Sequence, residues 1–185
     1  MIDLQQIDAS WTLFLDRDGV INVEKEGSYI FHYGEFVFYE GSREALRRCA
    51  EVFGHIVVVT NQRGVGKGQM TAADLLTIHD KMVAEIVLAG GRIDRIYYAD
   101  SLDDAHPLRK PQPGMAFAAR QDLPGIDLGR SVMIGNNLSD MEFGRNAGMY
   151  TVFVRTTNPD QALPHAAIDL AFNSLEDFAK LLHTP

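Results

Sequence analysis

Short apolar runs recur along the chain, separated by stretches with helical patterning. TLFL (12–15), HIVVVTN (55–61), RIYYA (95–99), SVMIG (131–135) and YTVFV (150–154) each read as a strand, with a last short one near 168–172. HIVVVTN is β-branched and apolar on both faces, as a central strand of a parallel sheet should be. Gly41-Ser42 opens a helix, with Ser42 as its N-cap and Gly54 as its C′ stop. Thr71 with Asp74 resembles a capping box for a long helix that Gly90-Gly91 ends. Pro113-Gly114 starts another helix, and Ser174 a last one. This alternation predicts an α/β, Rossmann-like doubly wound parallel sheet with helices on both faces.

In such a sheet ligands gather where the strands end, and the unusual polar residues all fall there. Asp16 and Asp18 follow the first strand, Thr60 and Asn61 end the second, Lys110 lies in the loop after the third, and Asn136 to Asp140 follow the fourth. Two aspartates one residue apart repel unless a cation sits between them or one is protonated. A hard divalent metal such as Mg²⁺, with its preference for oxygen, suits that pair. The stretch VTNQRGVGKG (59–68) offers the Thr60 hydroxyl, glycines that let backbone amides approach an anion, and the charges of Arg63 and Lys67. Its spacing is not that of a Walker loop. Arg109 and Lys110 precede two prolines, and Lys110 is placed to neutralise phosphate charge. Taken singly, each cluster after the first also fits an ordinary loop, surface pair or helix cap.

Composition narrows the classes. The chain has 185 residues, 46% hydrophobic and 23% charged, with net charge −8, which suits a globular protein and argues against nucleic acid or an anionic membrane as partner. There is no apolar run long enough to span a bilayer and no signal-peptide pattern at the start, so a cytoplasmic location is expected. A small phosphorylated metabolite remains a suitable partner, because a few local cations or a metal can reverse the potential inside one cleft. Cys49 is the only cysteine and reads as a buried apolar side chain. Trp11 is expected to pack beside the first strand, and no histidine pair has metal-ligand spacing.

Taken together, DRDG (16–19), a strand ending in Thr60, Lys110 and the acidic loop GNNLSD (135–140) resemble the haloacid dehalogenase superfamily of phosphatases. The longer strings FLDRDGVIN, TNQRGVGKG and RKPQPGM resemble the branch holding the D-glycero-D-manno-heptose 1,7-bisphosphate phosphatases and the histidinol-phosphate phosphatases. The resemblance implies a Mg²⁺-dependent phosphomonoesterase acting on a small metabolite, most simply a sugar phosphate. It implies Asp16 as a nucleophile that becomes an aspartyl-phosphate, and Asp18 as acid then base. Thr60 and Asn61 would hold phosphoryl oxygens, Lys110 would balance charge, and Asp16, Asp18, Asn136 and Asp140 would form the metal site. Arg63, Lys67 and Arg109 are candidates for a substrate's second anionic group. The spans between motifs leave no room for a large cap, so a capless single domain over 1–185 is expected, as a monomer or small homo-oligomer.

Two departures qualify the match. Relatives usually read Gly-Asp where this chain has Gly135-Asn136; an asparagine carbonyl is an oxygen ligand without charge, which implies weaker Mg²⁺ binding, with Asp140 compensating through water, or a phosphate binder that has lost turnover. ADSLDDAHPLRKP (99–111) has no cysteine and one histidine, His106, so no structural Cys/His zinc site is expected. A histidinol-phosphate phosphatase is the alternative enzyme. The aromatic segment 26–41, with Tyr29, Phe31, Tyr33, Phe36, Phe38 and Tyr39, reads either as a flap over the substrate or, ring by ring, as core packing.

Overall fold

The computed structural model describes residues 2–183. Six strands, β1 (Thr12–Leu15), β2 (His55–Asn61), β3 (Arg95–Ala99), β4 (Ser131–Gly135), β5 (Tyr150–Val154) and β6 (Leu170–Phe172), form one parallel sheet in the order β3-β2-β1-β4-β5-β6. The helices between them are α1 (Ser42–Val52), α2 (Arg63–Gly66), α3 (Ala72–Leu88), α4 (Gly114–Asp122) and α5 (Leu138–Ala147), and α6 (Leu175–Ala179) follows β6. This is the doubly wound α/β fold that the alternation implied.

Strand alternation divides the core in two. Leu13, Leu15, Ile56, Val58, Val132 and Ile134 point to one face and pack with Leu46 and Cys49 of α1, Leu75, Ile78 and Met82 of α3 and Phe178 of α6. Phe14, Val57, Val59 and Met133 point to the other and pack with Met115 and Ala119 of α4 and Phe143 of α5. Helices thus cover both faces, so the central strands are apolar throughout, as parallel strands sandwiched between helices must be. Trp11 is buried beside β1, its ring centroid 5.7 Å from that of Tyr150.

Helix ends follow local chemistry, with three corrections to the sequence expectation. The capping box of α3 is present: Asp74 N–H donates to Thr71 Oγ1 at 3.1 Å and Thr71 N–H to Asp74 Oδ2 at 2.9 Å. For α1 the N-cap is Gly41 in the left-handed region, φ 75°, and Ser42 is the first helical residue with its hydroxyl buried and unpartnered. Gly54 follows the C-cap Phe53 but is not left-handed; it is glycine because a Cβ would run into the Ala9 carbonyl, while its N–H donates to Trp11 O at 3.0 Å. The expected open glycine loop after β2 is instead the short helix α2. The N–H groups of Lys67, Gly68 and Gln69 donate inside it, to the carbonyls of Arg63, Val65 and Gly64. Gly64 makes room for the Tyr29 ring and Gly66 for the Asp100 carbonyl, so these glycines serve packing, and those three amides are not free for an anion.

The segment before α1 folds over one end of the sheet. Tyr33 stacks on Phe36 at 5.5 Å, Phe36 meets Phe38 edge-on at 5.0 Å, and the Tyr33 hydroxyl donates to Glu85 of α3 at 2.5 Å. Those rings pack onto the core side. Tyr29 and Ile30 face the strand ends instead.

Candidate active site

Four chain segments converge where the strands end. β1 runs into Asp16-Arg17-Asp18, β2 closes with Thr60 and Asn61, the loop after β3 carries Lys110, and β4 leads through Gly135 into Asn136 and α5. A cavity of about 150 Å³ at this rim is lined by Asp16, Asp18, Glu24, Thr60, Lys110 and Asp140, with Asn61, Ser139 and Tyr29 among its other walls. Two glycines make the convergence possible. Gly19 is left-handed, φ 85°, and a Cβ on it would fall on the Asn136 amide; a Cβ on Gly135 would fall on the Asp140 carboxylate.

Lys110 holds the centre. Its Nζ lies 2.9 Å from Asp16 Oδ1 and 2.6 Å from Asp140 Oδ1, and all three side chains are nearly inaccessible. Burial alone would lower the Lys110 pKa, but Asp140 and Asp16 outweigh it and hold the ammonium charged above its ordinary range. Burial pushes Asp16 up to about 7; Lys110 pulls against that rise, and the Asp140 and Asp18 charges add to it. Asp16 Oδ1 also accepts the Arg17 N–H at 2.7 Å, which leaves Oδ2 without a hydrogen bond. Asn61 fixes the lysine from behind: its amide donates to the Lys110 carbonyl and accepts the Lys110 N–H, each at 3.1 Å.

Asp18 is held differently. Arg17, fully buried, grips both its oxygens at 2.8–2.9 Å, Asn22 donates to Oδ1 at 2.9 Å, and Gln62 to Oδ2 at 2.8 Å. Burial would raise this carboxyl, yet Arg17, Asn22 and Gln62 together hold it below the usual range. Gln62 also donates to Thr60 Oγ1 at 2.9 Å, which leaves the threonine proton free to donate elsewhere. Behind Arg17 stands His79 of α3, its Nε2 at 3.1 Å from Arg17 Nη1. A guanidinium has no acceptor, so Nε2 must accept and the ring is neutral. Burial, reinforced by the Arg17 charge and opposed by Asp18, lowers the His79 pKa to about 3.

The sequence-derived set is therefore only partly brought together. Asp16, Asp18, Thr60, Asn61, Lys110 and Asp140 line one cavity. The Asp18 side chain, however, is committed to Arg17, Asn22 and Gln62, and Asp140 to Lys110 and the Asn137 N–H (3.0 Å), so neither presents a free oxygen to a metal as expected. Asn136 is fully buried outside the cavity lining. Arg63 and Arg109 turn away, both onto the Asp104 carboxylate. Lys67 is exposed over the Tyr29 ring, 5.2 Å from its centroid, on a recess that adjoins the cavity through Glu24, Lys25, Ser28 and Tyr29. Sequence reasoning missed Arg17, Gln62, His79 and Glu24. Arg17 carried a signal, since a guanidinium between two aspartates at the end of an apolar strand must be paired if it is buried. Glu24 carried none.

No three His, Cys, Asp or Glu side chains among the described residues already form a metal cage. A Mg²⁺ ion needs less, because it keeps several waters and uses one or two carboxylates. The unbonded Asp16 Oδ2 and the buried, unpartnered Asn136 Oδ1 fit such an ion.

The chain is similar to known proteins along most of its length. The HAD-hydrolase-like family model matches residues 107–178. A D-glycero-alpha-D-manno-heptose-1,7-bisphosphate 7-phosphatase of Mycobacterium bovis is 33% identical over 91% of this chain and 90% of its own. A D-glycero-beta-D-manno-heptose-1,7-bisphosphate 7-phosphatase of Yersinia pestis is 34% identical over 92% and 94%. Among solved structures, D,D-heptose 1,7-bisphosphate phosphatase from B. bronchiseptica, complexed with magnesium and phosphate, superposes with TM-score 0.82 at 29% identity, covering 92% of this chain and 96% of that one.

Two outcomes follow from the geometry. Lys110→Met leaves Asp16 and Asp140 buried without their cation and is expected to cost about 3–5 kcal/mol at pH 7, with part of the loss recovered near pH 5 as one carboxyl protonates; denaturant titrations at both pH values check it. For His79 the folded pKa lies below the unfolded one, so the unfolded chain binds the extra proton and stability falls as pH drops from about 6.5 towards 3. His79→Gln, which keeps an acceptor for Arg17, is expected to flatten that slope in melting temperatures measured across the window.

Proposed function

The chain belongs to the haloacid dehalogenase-like phosphatases, in the branch of the heptose 1,7-bisphosphate 7-phosphatases, and from that premise we propose that it is a Mg²⁺-dependent sugar-bisphosphate phosphatase working through an aspartyl-phosphate on Asp16. The observation that carries this reading is the placement of Asp16: a carboxylate at the end of β1, on the cavity wall, with one oxygen fixed by Lys110 and the Arg17 N–H and the other free.

Asp16 Oδ2 attacks phosphorus, the bond to the sugar oxygen breaks, and the phosphoryl group passes to the carboxylate. Asp18 takes up a proton from solvent as the substrate binds, gives it to the departing oxygen, and then takes one from the water that cleaves the acyl phosphate. Arg17, Asn22 and Gln62 keep Asp18 ionised at rest, and the arriving phosphate dianion raises its proton affinity. Thr60 donates its free proton to a phosphoryl oxygen, while Lys110 counters charge at Asp16 before and after transfer. When bound, Mg²⁺ supplies charge neutralisation between the carboxylate and the incoming phosphate. In this reading no separate cap covers the site, and loops around the half-enclosed rim grip the substrate.

A bisphosphate needs a second anion site. Arg63 and Arg109 are both turned onto Asp104 and neither lines the cavity, whereas Lys67 stands on the recess that continues it. The distal phosphate is therefore assigned to Lys67, with the Ser28 hydroxyl beside it.

Phosphate release from D-glycero-D-manno-heptose 1,7-bisphosphate, in either anomeric form, is expected to require Mg²⁺ and to fall by at least about 1000-fold in Asp16→Asn; turnover within tenfold of native would remove Asp16 as nucleophile. Lys67→Ala is expected to raise KM for the bisphosphate about five- to tenfold and to leave KM for p-nitrophenyl phosphate unchanged. Equal effects on both substrates would take Lys67 out of the distal site.

A further inference from the structure

Charge at the rim does not balance. Four carboxylates, Asp16, Asp18, Asp140 and Glu24, line the cavity. Arg17 neutralises Asp18, and the single ammonium of Lys110 serves both Asp16 and Asp140. Lys25, on the same rim, is taken by Glu35 at 2.7 Å. Glu24 meets only neutral donors: the Asn136 amide Nδ2 at 3.0 Å from Oε2, and the Thr157 hydroxyl. Two cations thus face four carboxylates, an acidic excess in a small, half-enclosed space, where a phosphate dianion would be repelled.

Asn136 stands at the centre of this imbalance. It is fully buried, hydrogen-bonded through Nδ2 to both Glu24 and Thr157, and its Oδ1 has no partner. An orphaned buried acceptor is costly, and a cation beside it removes the cost. Of the hydrogen-bonded pair, Glu24 is the member that reaches the cavity. It also sits in a loop rather than on a strand, free to adjust to an ion.

We propose that Glu24 belongs to the divalent-cation site opposite Asp16, carrying the negative charge that the neutral amide of Asn136 does not supply. Asn136 holds the Glu24 carboxylate at the cavity wall, and the ion brings the rim to neutrality before a phosphate enters. The inference rests on the phosphatase reading above for the site, but its test does not rest on turnover.

The experiment is calorimetric titration of the protein with Mg²⁺ alone, and with Mn²⁺ as a second probe. Glu24→Gln keeps an acceptor for Asn136 and removes the charge; it is expected to weaken Mg²⁺ binding about 10- to 100-fold while the melting temperature without metal stays the same or rises. Glu24→Gln combined with Asn136→Asp moves the carboxylate to the other side of the same hydrogen bond and is expected to recover most of the affinity. Asn136→Asp alone places two carboxylates in contact and is expected to lower the metal-free melting temperature, with Mg²⁺ restoring it. Native affinity in Glu24→Gln, or a double variant no better than the single one, overturns the role of Glu24 and leaves the phosphatase reading intact. Absence of any Mg²⁺ binding by the native chain overturns both.

Discussion

One buried ammonium organises the reactive end of this molecule. Lys110 lies between Asp16 and Asp140, and each of the three comes from a different segment: the end of β1, the loop after β3 and the first turn of α5. Two ionised carboxylates cannot be brought together out of water without a counter-charge, because their mutual repulsion and the loss of hydration act in the same direction. The lysine supplies that charge, so the loop carrying it must return to the sheet centre, and Asn61 fixes its backbone there with two hydrogen bonds. Asp140 meanwhile receives the Asn137 N–H at the start of α5, which ties the orientation of that helix to the same knot.

A second buried cation gives the neighbouring carboxylate a different character. Arg17 sets Asp18 apart from Asp16 although only one residue separates them: one carboxyl is pushed up by burial, the other held down by a guanidinium and two amides. Different partners for adjacent carboxylates give them different surroundings: Asp16 keeps one oxygen without a hydrogen bond at the cavity, while Asp18 is oriented by Arg17, Asn22 and Gln62. His79 extends this support to α3, so the long helix that packs on one face of the core also braces the Asp18 side of the cavity. The aromatic segment before α1 divides its rings similarly, with Tyr33, Phe36 and Phe38 anchoring the loop and Tyr29 and Ile30 left to wall the cavity and the adjoining recess.

Much of this was legible in the order of residues. Apolar runs of strand length, the Thr71–Asp74 capping box and the positions of the polar exceptions determined a doubly wound sheet with its site at the strand ends, because strand and helix periodicities are local properties and the topology rules leave few ways to join them. Asp16, Asp18 and Thr60 stand out for the same reason: polar groups at the ends of core strands have few structural uses. What only the tertiary structure decided is which charges meet. Arg63 and Arg109 look like anion grips in sequence, but Asp104 claims both. The glycines of 64–68 look like an anion loop, but they close into a helical turn under Tyr29. Glu24, with no motif around it, arrives beside Asn136, 112 residues away. Pairing energies fall off steeply with distance and depend on burial, and neither distance nor burial is written in the spacing of residues along a chain.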